Sequence, residues 1–138
     1  MKQNFFELNI NTNGQNLYEF THETLEWIKK NKLSNGVLNL SILHTSASLI
    51  IQENADPDVK TDLLNYFDKL APMNEDYIHS TEGKDDMPAH LKSAVTNNQI
   101  SLSIKDRKLL LGTWQGIFLF EHRIHPQKRK IIHHFLGD

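Results

Sequence analysis

Three stretches of this 138-residue chain carry more imidazole, hydroxyl and carboxylate groups than a fold by itself requires. The first is His44-Thr45-Ser46-Ala47-Ser48, which follows an apolar run and leads into Glu53-Asn54-Ala55-Asp56. Small hydroxyl residues beside a histidine at a strand end either satisfy their own turn or offer hydroxyls and backbone N–H groups to a phosphate. The second runs from Asp76-Tyr77-Ile78-His79 through Glu82 to Asp85-Asp86-Met87-Pro88-Ala89-His90. Two histidines bracket a set of carboxylates there. Such donors can hold a cation, although the spacing is not that of a zinc-protease helix; the alternative is that each histidine is an ordinary hydrogen-bonded or surface residue. The third is Gly112-Thr113-Trp114-Gln115-Gly116, continuing as Ile117 to Arg123. Its two glycines would let backbone approach a ligand. A strand period of two places Ile117, Leu119, Glu121 and Arg123 on one face, where the Glu and Arg form either the rim of a site or an ion pair of little energetic weight. No Walker A pattern and no Gly-x-Gly-x-x-Gly run occurs.

Composition narrows the chemistry. Eight histidines and no cysteine exclude disulfides, thiolate zinc sites and a cysteine nucleophile, so any metal must take nitrogen and oxygen ligands. A net charge of −2 gives no footprint for nucleic acid. The charge is uneven, with ten acids against three bases from Glu53 to Asp86 and seven bases against two acids from Lys105 to Lys130. That pattern fits a solvated surface, or a cleft or subunit interface in which acidic and basic segments meet. The start of the chain lacks a long apolar stretch, and no segment approaches the roughly 20 apolar residues that span a bilayer, so the expectation is a soluble, cytoplasmic protein with no membrane partner. Of the C-terminal histidines, His133 and His134 point to opposite faces of a strand and cannot share one ion. They are expected, like His122 and His125, in sheet or interface roles.

The elements that must position these groups follow from periodicity. Phe6, Leu8 and Ile10 alternate with polar residues as a strand, and Asn13-Gly14 is a turn. Thr21 can N-cap a helix to about Lys32, with Leu25 and Ile28 on one side. Val37 to Leu43 and Ala47 to Ile51 read as strands. Asp56-Pro57 opens a helix carrying Val59, Leu63, Tyr66, Phe67 and Leu70 at helical spacing. A shorter helix follows Asp86 or Met87, with Leu91, Ala94 and Val95 turned inward. Ile100 to Ile104, Lys108 to Leu111, Ile117 to Arg123 and Arg129 to Phe135 are further strands. Runs of strands with segregated helices predict a single α+β domain over 1–138, with a mixed or largely antiparallel sheet.

Taken together, His44-Thr45-Ser46-Ala47-Ser48 with Glu53-Asn54-x-Asp56-Pro57, Tyr77-x-His79 with Asp85-Asp86-Met87-Pro88-Ala89-His90, and Gly112-Thr113-Trp114-Gln115 leading into Glu121-x-Arg123 resemble the YjbQ family, also described as secondary thiamine-phosphate synthase. The resemblance runs over almost the whole chain. It implies a compact α+β domain, a homotrimer with the polar motifs near subunit contacts, and weak thiamine-phosphate synthase activity. That reaction joins a pyrimidine methyl diphosphate to a thiazole phosphate and releases pyrophosphate, so the leaving charge must be neutralised and the rings aligned. On this footing His44, His79 and His90 are the candidate metal ligands, and Glu53, Asp85 and Glu121 would complete the shell or act as base. Arg123, Thr45, Ser46 and Thr113 would hold phosphate, Trp114 would stack on a ring, and Asn54 and Gln115 would add substrate contacts. Three histidines suit zinc, nickel or ferrous iron better than magnesium, and suit hydrolysis better than diphosphate ionisation. The synthase activity is then a side reaction of a transferase-like or hydrolytic site. The alternative is a non-catalytic trimeric module that binds a phosphorylated metabolite or a metal.

Overall fold

A computed structural model describes residues 1–138 as eight strands and three helices. β1 (Lys2–Asn13) turns at Gly14, whose φ of +96° favours glycine, into β2 (Asn16–Glu19). α1 (Thr21–Lys30), β3 (Gly36–Ile42) and β4 (Ala47–Glu53) follow. Then come α2 (Pro57–Leu70), α3 (Asp86–Ala94), β5 (Gln99–Lys105), β6 (Lys108–Leu109), β7 (Gln115–Glu121) and β8 (Pro126–Gly137). The strands form two sheets rather than one, a five-stranded sheet ordered β1-β8-β3-β5-β6 and a three-stranded sheet ordered β2-β7-β4. Every strand pairing is antiparallel, so the expected α+β class holds and no mixed sheet is present.

The main core joins the inner face of the larger sheet (Leu38, Leu40, Ile42, Ile131, Phe135) to α1 (Trp27, Ile28) and to Leu49, Ile117 and Leu119 of the smaller sheet. Phe118 and Phe120, on the opposite face of β7, meet Leu17 and Phe67 of α2. β7 is therefore buried on both faces, the physical reason for its unbroken apolar run Ile117 to Phe120.

Several expected details shift. α1 begins at Thr21 without a side-chain cap. The Thr21 hydroxyl instead donates to Glu19 (2.8 Å) and accepts from the Ile117 N–H (2.9 Å), which ties the helix start to β7. α1 buries Thr24, Trp27 and Ile28, while Leu25 is exposed. The Asp56 cap forms as expected, its Oδ1 accepting from the Asp58 N–H at 2.9 Å. In α3 the inward residues are Pro88, Ala89 and Lys92, not Leu91, Ala94 and Val95. Lys92 donates to Asp68 of α2 at 2.7 Å, so a polar bridge takes the place of an apolar face. β7 ends at Glu121 rather than Arg123 because Glu121 Oε2 accepts the N–H groups of both His122 (3.0 Å) and Arg123 (3.1 Å), removing them from the ladder.

Candidate metal and ligand site

The antiparallel register of β4 and β7 pairs Ala47 with Glu121 at one end and Glu53 with Gln115 at the other. Six residue steps at strand rise separate these ends by roughly 20 Å. The polar residues singled out in the sequence therefore fall into two groups within one chain.

At the Gln115 end, Glu53 Oε2 accepts from the N–H groups of Ala55 (3.2 Å) and Asp56 (3.0 Å), shaping the entry to α2. The Asn54 N–H donates to the Trp114 carbonyl (2.9 Å) and its side chain to Glu19 (3.1 Å). Gln115 Oε1 accepts from Gly112 N–H at 2.7 Å, closing the turn that leaves Thr113 and Trp114 exposed. A Cβ on Gly116 would stand 2.5 Å from a Glu19 carboxylate oxygen, so glycine lets the Glu19 side chain lie close over β7.

At the Glu121 end the groups are charged and interlocked. Glu121 is fully buried, and its Oε1 accepts from Thr12 Oγ1 (2.7 Å) and Arg129 Nε (2.7 Å) while its Oε2 accepts from Arg129 Nη2 (2.6 Å). Arg129 Nη2 also donates to Ser46 Oγ at 2.9 Å. Ser46 in turn holds His44: its backbone N–H donates to His44 Nδ1 at 3.0 Å, and its hydroxyl lies 3.0 Å from the same nitrogen. Burial, and then the Arg129 cation, push the His44 pKa below its ordinary value.

Arg123, just beyond β7, clamps the loop that leads into α3. Its Nε donates to Asp85 (2.8 Å), Nη1 to Asp86 (2.7 Å) and Nη2 to the Glu82 carbonyl (2.9 Å). Burial acts to raise the Asp85 pKa, but the hydrogen bonds from Arg123 and the Ile124 N–H outweigh it and hold the carboxyl below its ordinary value. The hydrogen bond to Asp85 correspondingly raises Arg123. Asp86 is also held low, burial being outweighed by its contacts with His79 and Glu82 and by the charges around it.

With one Asp86 oxygen fixed by Arg123, the other faces two imidazoles. His79 Nε2 lies 2.8 Å and His90 Nε2 3.1 Å from Asp86 Oδ2, and His79 Nε2 lies 3.4 Å from Glu82 Oε2. These four residues form a cluster whose ligand atoms all lie within 4.8 Å of one another and could hold a metal ion. The His90 ring is oriented from behind, since its Nδ1 can only donate to the Thr45 carbonyl, 2.9 Å away. Nε2 is thereby aimed at the cluster, where it would give its lone pair to a bound cation, the arrangement in which metal-bound histidines are held.

His79 and His90 thus come together with Glu82 and Asp86, while His44 and the expected carboxylates Glu53, Asp85 and Glu121 lie outside this cluster. Asp86 is legible as a partner of His90 through their i, i+4 spacing on a helix, whereas His79 and Glu82 lie in the preceding loop, where an i, i+3 spacing carries no such signal. Arg129 had no local signal.

Comparison with known proteins matches the family model described as UPF0047 protein YjbQ-like over residues 6–138. A Synechocystis protein, UPF0047 protein sll1880, is 47% identical over 130 residues, covering 94% of this chain and 88% of its own. UPF0047 protein YjbQ of Salmonella typhimurium is 49% identical over 106 residues, covering 77% of each chain. The crystal structure of a YjbQ/UPF0047 protein from Clostridium acetobutylicum superposes with a TM-score of 0.88 at 33% identity, covering 95% of this chain and 99% of that one. No helix is long and apolar enough to cross a membrane. The motifs, the antiparallel two-sheet fold and these matches make the chain a member of the YjbQ/UPF0047 family.

Proposed function

We propose that the chain binds a divalent transition metal through His79, Asp86 and His90, with Glu82 as fourth donor, and uses that site to hold a small phosphorylated ligand. The observation that carries this reading is the convergence of two histidine Nε2 atoms on one carboxylate oxygen, with His90 locked from behind by the Thr45 carbonyl. Two nitrogens and two oxygens suit zinc, nickel or ferrous iron, whereas magnesium prefers oxygen ligands throughout. Charge supports the need for a cation: Arg123 is neutralised by Asp85 and Asp86, and Arg129 by Glu121, so neither offers an uncompensated positive charge to a phosphate. A bound divalent ion would supply that charge as a Lewis acid.

On the enzymatic reading the family resemblance names weak thiamine-phosphate synthase activity, with Thr45 beside the site and the exposed Trp114 available to stack on a ring. Trp114 and Thr113 lie in the turn before β7, at its far end from Glu121, so they would join the metal end only across a subunit contact, as a homotrimer would allow. One observation favours the binding-module reading. Glu121 and Asp85, the candidate bases, are both engaged by arginines.

Metal analysis of protein purified without added metal, followed by zinc and nickel titration, tests the site. Near-stoichiometric binding that is lost in His79→Ala and His90→Ala is expected; no retained metal in the native sequence sinks the reading. Pyrophosphate release from a pyrimidine methyl diphosphate and a thiazole phosphate, assayed with each metal, then separates enzyme from binder. Turnover above a metal-only blank supports the enzyme, and ligand binding without turnover supports the module.

A further inference from the structure

Beside the metal cluster lies a cleft of about 360 Å³ lined by His44, Thr45, His90, Ser93, Ala94 and Asn98. Its two histidines are fixed in different ways by adjacent residues of one chain segment, His90 Nδ1 by the Thr45 carbonyl and His44 Nδ1 by the Ser46 N–H. A neutral imidazole carries a single N–H. His90 Nδ1 faces a carbonyl and must donate, which leaves Nε2 to the Asp86 carboxylate, 3.1 Å away, or to an ion in the cluster. His44 Nδ1 accepts from a backbone N–H that cannot reverse, so the proton of its ring belongs on Nε2. No lone pair is then left there for a metal. Behind His44 the chain Ser46, Arg129 and Glu121 runs into the core through hydrogen bonds of 2.9, 2.7 and 2.6 Å, which holds the ring in place. Ser93 lines the same cleft, and its Oγ, closed off from solvent, has no hydrogen-bond partner, so rotation about χ1 is what would turn it to a ligand. A buried hydroxyl without a partner carries a desolvation cost that a bound acceptor would relieve.

We propose that His44 Nε2–H and Ser93 Oγ–H form a subsite for an anionic oxygen of the phosphorylated ligand, adjoining the metal but not ligating it. This rests on the metal reading above and deepens it, assigning His44 to substrate recognition. The cleft lining contains no lysine or arginine, so recognition here is by neutral donors: they orient an oxyanion whose charge is balanced elsewhere.

The test uses the full-length chain at pH 7, metal-free and zinc-loaded. Long-range proton–nitrogen correlation spectra are expected to place the proton of His44 on Nε2 in both forms, and that of His90 on Nδ1 alone once zinc is bound. On zinc loading His79 and His90 signals should shift strongly and the His44 tautomer should persist. A His44 ring protonated on Nδ1, or one that joins the zinc-ligand shifts, overturns the proposal. Calorimetric titration with inorganic pyrophosphate gives the second arm. His44→Ala is expected to keep one zinc per chain yet weaken pyrophosphate about tenfold or more, and Ser93→Ala to weaken it several-fold, as loss of a hydrogen bond to a charged group implies. Unchanged affinity in both variants overturns the subsite. If zinc does not bind, the metal reading fails by itself, and the His44 tautomer in the metal-free protein still decides this proposal.

Discussion

Among single residues, Glu121 and Arg129 carry the greatest structural consequence. Both are buried, and together they close a bidentate pair that also anchors Thr12 and Ser46. Removing one partner leaves an uncompensated buried charge, and Arg129→Met is expected to destabilise the fold by about 3–5 kcal/mol in urea denaturation. Glu121→Gln keeps the shape but leaves Arg129 as the uncompensated charge and sets an amide NH2 against donors, so it should cost a comparable amount. His133 offers a different measurement. It is buried against Phe6, Phe20 and Trp27, its Nε2 2.8 Å from Thr24 Oγ1, and burial pushes its pKa down to about 4. His122, hydrogen-bonded to Ser48 in the core, is pushed down further, to about 3. Both rings stay neutral in the folded state while the unfolded chain takes up their protons near pH 6.5. Their stabilisation is thus complete above pH 6.5 and is lost progressively as pH falls from there toward 4 and then 3. Urea midpoints measured from pH 7.5 to 4 should fall, and His133→Gln should flatten part of that slope, by up to about 3 kcal/mol across the range. An unchanged slope would mean that His133 is not the titrating group.

The elements are held by a few positions where a side chain cannot fit. Gly36 opens β3 where it crosses β8, and a Cβ there would run into the Leu136 carbonyl and the Phe135 ring. That carbonyl is backbone and cannot swing aside, so Gly36→Ala is expected to unfold the protein or lower its melting temperature severely. Gly116→Ala meets the flexible end of Glu19 instead, and relaxation of that side chain should limit the loss to about 1–3 kcal/mol. Thermal melts of the two variants side by side check the ranking. At the start of α2, Asp56→Ala removes the acceptor for the Asp58 N–H and should cost about 1 kcal/mol.

For the whole molecule, the outer face of the five-stranded sheet carries Phe5, Val37 and Leu136 in the open, with Val37 and Leu136 paired in register and Phe5 stacked on His134 at 4.2 Å. If the chain forms the proposed homotrimer, light scattering will give three times the 16.0 kDa chain mass, and a mass near one chain counts against it. The sequence by itself determined most of the elements. Periods of two and 3.6, the Asp56-Pro57 start and the glycine turns are local, and the physics that forms a strand or a helix reads a few residues at a time. The family was equally legible, since its motifs are contiguous. What joined what was not. Only the β4–β7 register separated Glu53 and Gln115 from Glu121, and only the fold brought Arg123 from beyond β7 onto Asp85 and Asp86. That His90 stands in the cluster with His79, Glu82 and Asp86 while His44 stands outside it, its ring met by a backbone N–H, is a fact of tertiary contact that no residue pattern encodes.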